Sequence, residues 1–360
     1  MNNNFYSTIV GTGSYIPTKK ISNKDFLKNE FYETGGKKFD KPNQEIIDKF
    51  EQITKITERR YVTDDLVTSD IAYYAARDAL ESSMIDKECL DYIIVAHNFG
   101  DISAENKRSD FVPSIASRVK YKLGIENPDT IPYDLPFGCP GWLQGMIQAD
   151  YYIKSGDAKR VLVIGAETLS RISDPHDRDS MIYADGAGAT LVEAKESNKP
   201  IGILSHKTRS DTLENAYLLK MDKSFYSYLE NGELFLKMNG RKLYEYALKN
   251  VPQVVKDCIT KAGLYINDVM KVLIHQANAK MDEEILKRLF ELYGKKELPN
   301  YIMPMTISWL GNSSVATLPT LLDLLLKGKL NNHELRQGNV IVFASVGAGM
   351  NINSLVYRMP

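Results

Sequence analysis

The chain has 360 residues, of which 43% are hydrophobic and 25% are charged, and its formal net charge is −1. The length exceeds one average domain, and the composition is that of a globular protein. A nearly neutral chain gives no electrostatic argument for nucleic acid as a partner. No apolar stretch reaches the ~18 residues of a membrane span, and residues 1–10 lack a secretory signal pattern. We therefore expect a cytoplasmic protein without a membrane span.

Short β-branched segments alternate with amphipathic helical patterns along the chain, which indicates an α/β fold. The hydrophobic periodicity predicts helices over 69–82, 141–154, 281–293 and 316–327. Buried strands are predicted over 91–96, 160–164, 271–274 and 340–344.

Three landmarks occur twice in the same order, which suggests two similar halves. A strand followed by a polar turn occurs at 93–98 and again at 272–278. A helix starts after Cys139 and another after Asn312. A glycine hairpin occurs at 185–188 and again at 346–349. The join lies in the polar segment 193–200, so we expect one half over 1–195 and the other over 196–360.

The three cysteines, Cys89, Cys139 and Cys258, are too few and too scattered for a disulfide framework or a zinc site. Cys89 and Cys258 lie in apolar helical patterns, so we interpret them as buried packing residues. The five histidines are not paired at metal-ligand spacing. We expect neither a metal nor another cofactor.

Cys139 differs from the other cysteines because Gly138 precedes it and Pro140-Gly141 follows at a predicted helix start. Pro140 suits the first helical position, which places Cys139 at the N-cap. Free N–H groups and the positive end of the helix dipole favour thiolate over thiol there. The glycines allow a ligand to approach the backbone, so we interpret Cys139 as a nucleophile.

Two downstream segments supply the other candidate catalytic side chains. His275 follows a predicted strand and precedes a helix, where α/β sheets place their site residues. Asn312 follows Gly311 near a second helix start. The simpler interpretations are a buried structural histidine and a helix N-cap. A thiol, an imidazole and a carboxamide in one pocket could instead hold an acyl group and stabilise an enolate.

With these motifs the chain resembles the thiolase-fold condensing enzymes, in particular the 3-oxoacyl-acyl carrier protein (ACP) synthase III group. The resemblance covers about Ile9 to Met359. It rests on IVGTGSYIP at 9–17, ERRYV at 58–62, GCPGW at 138–142, SRISDPHDRDSMIYADGAGA at 170–189, HQAN at 275–278, GNSSVATLP at 311–319 and GAG at 347–349. It implies an αβαβα layered fold of two similar halves and a homodimer.

The resemblance implies a ping-pong, decarboxylative Claisen condensation. Cys139 takes an acyl group from acyl-ACP or acyl-CoA, and a malonyl- or β-ketoacyl-type thioester then enters and loses CO2. His275 and Asn312 would each donate a hydrogen bond to the thioester oxygen as the enolate forms. A second oxyanion hole would come from the backbone of Cys139 and of the turn formed by Gly347, Ala348 and Gly349.

The resemblance also implies a basic surface for the acidic carrier protein or CoA. The candidates are Arg171, Arg241, Lys280, Lys287 and Arg288. The tryptophan that clamps the CoA adenine in the family would align near Lys49-Phe50, where no tryptophan occurs, which favours a carrier-bound donor. The alternative is a solvated helix face, because Glu283, Glu284 and Glu291 share the second helix.

The loop after the strand at 91–96 is longer and more polar than in the fatty-acid enzyme. We hypothesise that its Glu105 is an accessory acid/base supplied to the partner's site in a dimer. The loop also raises an alternative function, a ketosynthase/cyclase that joins two β-ketoacyl units toward dialkylresorcinol-type products.

Three other classes fit less well. A non-catalytic thiolase-fold partner subunit usually lacks the nucleophilic cysteine. This chain has Cys139 at that position, which argues against this class. A Cys-His-Asn hydrolase has the same residue order, but its CGSCW-like signature is absent. A nucleotide-binding loop at Gly11-Thr12-Gly13 is weakly supported, because Ile16 occupies the third glycine position.

Overall fold

The computed structural model describes residues 5–228 and 232–360. Its strands are β1 (Phe5–Tyr15), β2 (Lys19–Ser22), β3 (Glu58–Tyr61), β4 (Tyr92–His97), β5 (Ile131–Pro136), β6 (Arg160–Thr168), β7 (Asp185–Glu196), β8 (Gly202–Ser210), β9 (Leu219–Asp222), β10 (Phe235–Met238), β11 (Val269–Ile274), β12 (Val340–Gly347) and β13 (Asn351–Arg358). Its α-helices are α1 (Asn43–Thr54), α2 (Thr68–Ser83), α3 (Ile115–Leu123), α4 (Gly141–Ser155), α5 (Thr212–Asn215), α6 (Gly240–Lys261), α7 (Ala279–Glu291), α8 (Ile307–Leu310) and α9 (Thr317–Leu326).

Two mixed sheets share one strand arrangement. The first has the order β1-β7-β6-β4-β5, and the second, read from its other edge, has the order β8-β13-β12-β11. In each sheet the first two pairs are antiparallel and the third pair is parallel. The first four strands of one sheet therefore correspond to the four strands of the other. Two small ribbons, β2–β3 and β10–β9, lie outside these sheets.

Helices α4 and α9 form the central layer between the sheets. Their apolar side chains pack with residues of both sheets, for example Val163 in the first and Phe343 in the second. Helix α9 has the sequence TLPTLLDLLL and buries every residue from Thr317 to Leu325. A helix that is buried on all sides needs such a location, because a surface helix would expose half of its side chains to water.

Helices α2 and α3 cover the outer face of the first sheet, and α6 and α7 cover the outer face of the second. These two pairs complete five layers in the order helix, sheet, helix, sheet, helix. The outer helices have one apolar face each, as their sequence periodicity predicts. Among residues 5–228 and 232–360, no helix combines the length and the apolarity needed to cross a bilayer.

The four predicted strands correspond to β4, β6, β11 and β12, and the four predicted helices correspond to α2, α4, α7 and α9. The α/β prediction is confirmed. The glycine hairpin predicted at 346–349 is the turn between β12 and β13, where Gly349 has a φ of +74°. Two predictions about the fold are wrong, and they concern the other hairpin and Cys89.

Residues 185–188 do not form a hairpin, because they begin the long strand β7, which pairs with both β1 and β6. The glycines there permit close packing instead of a turn. A Cβ atom on Gly188 would lie 2.6 Å from the backbone nitrogen of Thr320 in α9. Glycine in an inner strand marks such a close approach of two backbones.

Cys89 was expected in a buried helix, but it is exposed at the end of the 3-10 turn Lys87–Cys89. The neighbouring Leu90 is the residue that enters the core, with 1% of its surface exposed. Cys258 is buried in α6, as predicted. The apolar pattern at this helix-to-strand connection thus predicted a buried Cys89, although Leu90 is the residue that is buried.

Candidate active site

Cys139 lies in the turn that joins β5 to the central helix α4. The helix begins at Gly141, and its N-cap is Pro140 rather than Cys139. The Gly141 N–H group donates to the Gly138 carbonyl at 2.9 Å, which closes a tight turn around Cys139. The predicted N-cap position of Cys139 is therefore wrong by one residue, although the cysteine does lie at the helix start.

In the chain without a bound substrate, the Cys139 thiol is protonated at neutral pH. Burial, together with a smaller effect of the nearby Glu167 carboxylate, raises the pKa of Cys139 to about 11. A hydrogen bond from the Ser314 hydroxyl, with 3.4 Å between Oγ and Sγ, acts in the opposite direction. Burial therefore opposes the stabilisation of the thiolate that the sequence led us to expect at the helix start.

His275 follows β11 directly, and its backbone N–H group donates to the Ala344 carbonyl in β12 at 2.8 Å. Its side chain is buried, and burial lowers the pKa of the imidazole to about 4. The ring is therefore neutral at physiological pH. Its Nδ1 atom is buried without a hydrogen-bond partner among the described residues. A neutral imidazole can donate one N–H group to a substrate oxygen.

The other polar residues of the HQAN segment have structural roles. Gln276 is fully buried, and its Oε1 atom accepts hydrogen bonds from the N–H groups of Thr306 and Ile307 at 2.8 and 3.0 Å. Asn278 is the N-cap of α7. Gln276 thus joins the His275 strand end to the segment that leads, through α8, to Asn312.

Asn312 is fixed by its backbone and by one side-chain atom. Its N–H group donates to Ile182 at 3.0 Å, and its carbonyl accepts from Ala184 at 2.8 Å. The side-chain Oδ1 atom accepts from the Ser314 N–H group at 2.8 Å. Because the carboxamide oxygen is held in this way, the Nδ2 group is the side of the amide that can donate to a ligand. Asn312 does not cap α9, whose N-cap is Ala316.

The glycine turn after β12 packs directly on the cysteine turn. A Cβ atom on Gly347 would lie 2.7 Å from the Cys139 nitrogen and 2.6 Å from Cδ of Pro140. A Cβ atom on Gly138 would lie 3.0 Å from the Ala348 nitrogen. Only glycine permits this approach, so the two turns that would form the second oxyanion hole are adjacent.

Three polar residues near Cys139 were missed in the sequence, and of these Glu167 and Tyr183 are buried while Asn98 is half-buried. Asn98 follows β4 and Glu167 lies near the end of β6, so both are at the carboxyl ends of parallel strands. Burial raises the pKa of Glu167 to about 7. Tyr183 has a buried hydroxyl group with no partner among the described residues, and burial raises its pKa. A glutamate near the end of the apolar strand RVLVIGAET was the available signal.

Arg171 is not presented freely to solvent. Its Nη2 atom donates to the carbonyl oxygens of Thr63 and Leu66 at 3.0 and 3.4 Å, and its Nη1 atom lies 3.7 Å from Asp64. The guanidinium group therefore holds the loop between β3 and α2. Its predicted contact with a carrier or with CoA stays a prediction.

The other predicted basic residues are on exposed helix surfaces. Lys287 and Arg288 lie within 4.0 Å of Glu284, and Arg241 pairs with Glu245 at 3.0 Å. Lys280 is exposed near the start of α7. The glutamates reduce the net positive charge of these helix faces. This agrees with the alternative interpretation given above, a solvated helix face.

Glu105 is exposed in the loop that follows β4. The loop is closed by backbone hydrogen bonds between Asp101 and Asp110, and Lys107 lies 3.4 Å from Glu233. It therefore packs on the second half of the chain, with Glu105 directed to solvent in a single copy.

Comparison with known proteins agrees with this architecture. The 3-oxoacyl-ACP synthase III profile matches residues 133–212, and the profile of its C-terminal part matches residues 259–359. A β-ketoacyl-ACP synthase III of Xanthomonas campestris pv. campestris is 32% identical over 99% of this chain and 100% of its own length. One from Staphylococcus saprophyticus is 31% identical over 97% of this chain and 98% of its own.

Solved structures give the same result. The 3-oxoacyl-ACP synthase III of Aquifex aeolicus superposes with a TM-score of 0.78 at 28% identity, covering 98% of this chain and 99% of that one. The enzyme of Thermus thermophilus superposes with a TM-score of 0.79 at 28% identity and the same coverage. The five layers and these matches thus define a condensing acyltransferase of the thiolase fold. Within that class, the chain belongs to the 3-oxoacyl-ACP synthase III family.

Proposed function

We propose that the chain joins a Cys139-bound acyl group to a malonyl-type thioester, with His275 and Asn312 as the donors that stabilise the enolate. The observation that carries this assignment is the fixed Asn312 carboxamide, whose oxygen is held by the Ser314 N–H group so that Nδ2 remains to donate. The neutral imidazole of His275 supplies the matching second donor.

The first step is acyl transfer. Cys139 Sγ forms a bond to the carbonyl carbon of an acyl thioester, and the bond to the carrier sulfur breaks. The proton of the Cys139 thiol passes to the departing sulfur, so the carrier leaves as a free thiol. The backbone N–H groups of Cys139 and of the 347–349 turn would hold the tetrahedral oxyanion.

The second step is decarboxylation and carbon–carbon bond formation. The bond to CO2 breaks, and its electrons form an enolate whose oxygen accepts from His275 and Asn312. A preorganised donor of this type contributes roughly 2.7–4 kcal/mol. The enolate carbon attacks the acyl-Cys139 carbonyl, and the released thiolate takes up one proton.

The relatives are named for acyl carrier protein, and we propose the same class of partner here. Acyl-ACP or acyl-CoA would donate the acyl group, and a malonyl- or β-ketoacyl-type thioester would extend it. The candidate surface contacts are Lys280, Lys287, Arg288 and Arg241. Arg171 would act by holding the loop between β3 and α2. The cytoplasmic location stays a prediction.

We further propose a homodimer that pairs through β5, the outermost strand of the first sheet. An unpaired strand edge is a ready template for a second chain. In such a dimer the exposed Glu105 loop of one copy could reach the site of its partner. A Glu105→Gln variant with unchanged turnover would contradict an acid/base role of this residue.

Loading of Cys139 is tested by intact-protein mass spectrometry after incubation with a panel of acyl-ACP and acyl-CoA thioesters. We expect one acyl adduct, which is lost in Cys139→Ser and retained in Cys89→Ser, the matched change at an exposed thiol. An adduct on another residue would contradict the proposal. In His275→Ala and Asn312→Ala, CO2 release from malonyl-ACP should fall about 10²–10³-fold while loading continues.

A further inference from the structure

We propose that Glu167 is a positioning residue for the Cys139 nucleophile. Through Asn98, it turns the Ser314 hydroxyl so that the hydroxyl hydrogen points at Cys139 Sγ. This inference rests on the proposed role of Cys139, and it assigns a task to a buried carboxyl group that the condensation steps do not otherwise use.

The first link joins Glu167 to Asn98. Glu167 is fully buried, and its Oε2 atom accepts from the Asn98 backbone N–H group at 3.0 Å and from the Asn98 side-chain Nδ2 at 2.5 Å. Because a carboxylate only accepts hydrogen bonds, it fixes which end of the Asn98 amide faces it. The NH2 group must point toward Glu167.

The second link joins Asn98 to Ser314. The Asn98 Nδ2 atom also lies 3.1 Å from the Ser314 Oγ atom, to which it donates its other hydrogen. A hydroxyl group that accepts in this way keeps its own hydrogen for a different acceptor. The direction of hydrogen bonding at Ser314 is therefore set by Asn98.

The third link joins Ser314 to the nucleophile. Ser314 Oγ lies 3.4 Å from Cys139 Sγ, and with Asn98 as its donor the hydroxyl hydrogen faces the sulfur. Ser314 has a φ of +53°, a left-handed conformation that non-glycine residues adopt only uncommonly. A hydrogen bond to sulfur stabilises thiolate more than thiol, so the chain of contacts favours ionisation of Cys139.

Charge at Glu167 acts against this effect. Besides the Asn98 hydrogen bonds, the charged groups that act on the pKa of Glu167 are His97 and Asp185. The Glu167 charge raises the pKa of Cys139, and Cys139 in turn raises the pKa of Tyr183. The second Glu167 oxygen, Oε1, is buried without a partner among the described residues. A proton on Oε1 would remove the charge and leave Oε2 to accept from Asn98.

The test is the pH dependence of Cys139 alkylation by iodoacetamide, followed on the Cys139 peptide by mass spectrometry. The exposed Cys89 peptide of the same sample is the internal control. Glu167→Leu removes the acceptor, whereas Glu167→Gln keeps an acceptor oxygen without charge. Asp282→Asn changes an equally buried carboxyl group in α7 and serves as the matched control.

We expect Glu167→Leu and Ser314→Ala each to slow Cys139 alkylation about tenfold at pH 8, as for the loss of one hydrogen bond. Glu167→Gln and Asp282→Asn should not slow it. In the double variant, Glu167→Leu should add nothing to Ser314→Ala, because the effect passes through Ser314. Asn98→Ala breaks the same chain of contacts and replaces Glu167→Leu if that variant does not fold.

Two results would overturn the proposal. Faster alkylation in both Glu167 variants would mean that only the through-space charge acts on Cys139. An unchanged alkylation profile with a lowered melting temperature would mean that Glu167 is merely structural. Alkylation needs no acyl transfer, so an acyl adduct found on another residue would refute the role of Cys139 without altering this measurement.

Discussion

At the scale of single residues, burial acts on His275 and Glu167 in opposite directions. It lowers the pKa of His275 from 6.5 to about 4 and raises that of Glu167 from 4.5 to about 7. Between pH 4 and 6.5 the unfolded chain holds more protons at His275, so acidification through this window reduces the free energy of unfolding. Between pH 4.5 and 7 the folded chain holds more protons at Glu167 than the unfolded chain does. A rise in pH through this window therefore reduces the free energy of unfolding.

We predict that His275→Gln and Glu167→Gln change the pH dependence of stability with opposite signs. Relative to the parent chain, the free energy of unfolding of His275→Gln should gain about 2 kcal/mol when the pH is lowered from 7.5 to 5. That of Glu167→Gln should lose about 2 kcal/mol over the same interval. Chemical denaturation at both pH values measures this, and each variant's pH-independent cost cancels in the difference. Parallel pH profiles for all three chains would contradict the two pKa shifts.

At the scale of elements, the contact between the 347–349 turn and the cysteine turn depends on the absence of a side chain. We predict that Gly347→Ala slows acyl loading by roughly 10²-fold, because a 1 Å displacement of a reacting group has about that effect. The added Cβ would lie 2.7 Å from the Cys139 nitrogen, so one of the turns must move.

The matched control is Gly240→Ala at the start of α6, where the nearest atom to an added Cβ is 3.7 Å away. Loading rates from rapid-quench mass spectrometry, with circular dichroism to check folding, compare the two alanine variants. Wild-type loading in Gly347→Ala would show that the turn can yield without disturbing Cys139, and the assigned oxyanion backbone would then be wrong.

The sequence predicted elements well where one local pattern determines the structure. The β-branched segments of β4, β6, β11 and β12 and the apolar helix α9 are examples. It failed where two distant segments meet, as at Gly188, whose missing side chain makes room for α9 rather than for a turn. The same limit explains Glu167, because its contact with Asn98 joins positions 69 residues apart.

Local motifs provide the residue types of the proposed site, but they do not predict its electrostatics. Cys139, His275 and Asn312 were each identified from local motifs. The raised pKa of Cys139 was not predicted, because a helix start is visible in the sequence whereas the surrounding burial is not. Desolvation depends on the packing of both halves, which no local pattern specifies.

At the scale of the whole molecule, the site lies where the two sheets' connections meet. Cys139 follows β5 of the first sheet, while His275 and the 347–349 turn follow β11 and β12 of the second. The matching strand orders of the sheets support our proposal of two halves over 1–195 and 196–360. Under these proposals, Cys139 belongs to the first half, whereas His275 and Asn312 belong to the second.

The edge strand β5 leads to the last prediction, that the chain forms a dimer through this edge. Ile131 on β5 is 47% exposed, and Phe111 and Val112 in the loop between β4 and α3 are 45% and 86% exposed. Apolar side chains beside an open strand edge favour association, and a two-fold axis would cover both edges at once. We expect sedimentation at twice the 40.7 kDa chain mass.

Val112→Asp should shift this equilibrium toward monomer, because it places a charge in the apolar interface. Leu213→Asp is the matched control, since Leu213 is 98% exposed on α5, outside the proposed interface. Analytical ultracentrifugation over a concentration series distinguishes the two variants. Equal dissociation of both, or a monomeric parent chain, would contradict pairing through β5 and with it any supply of Glu105 from the partner copy.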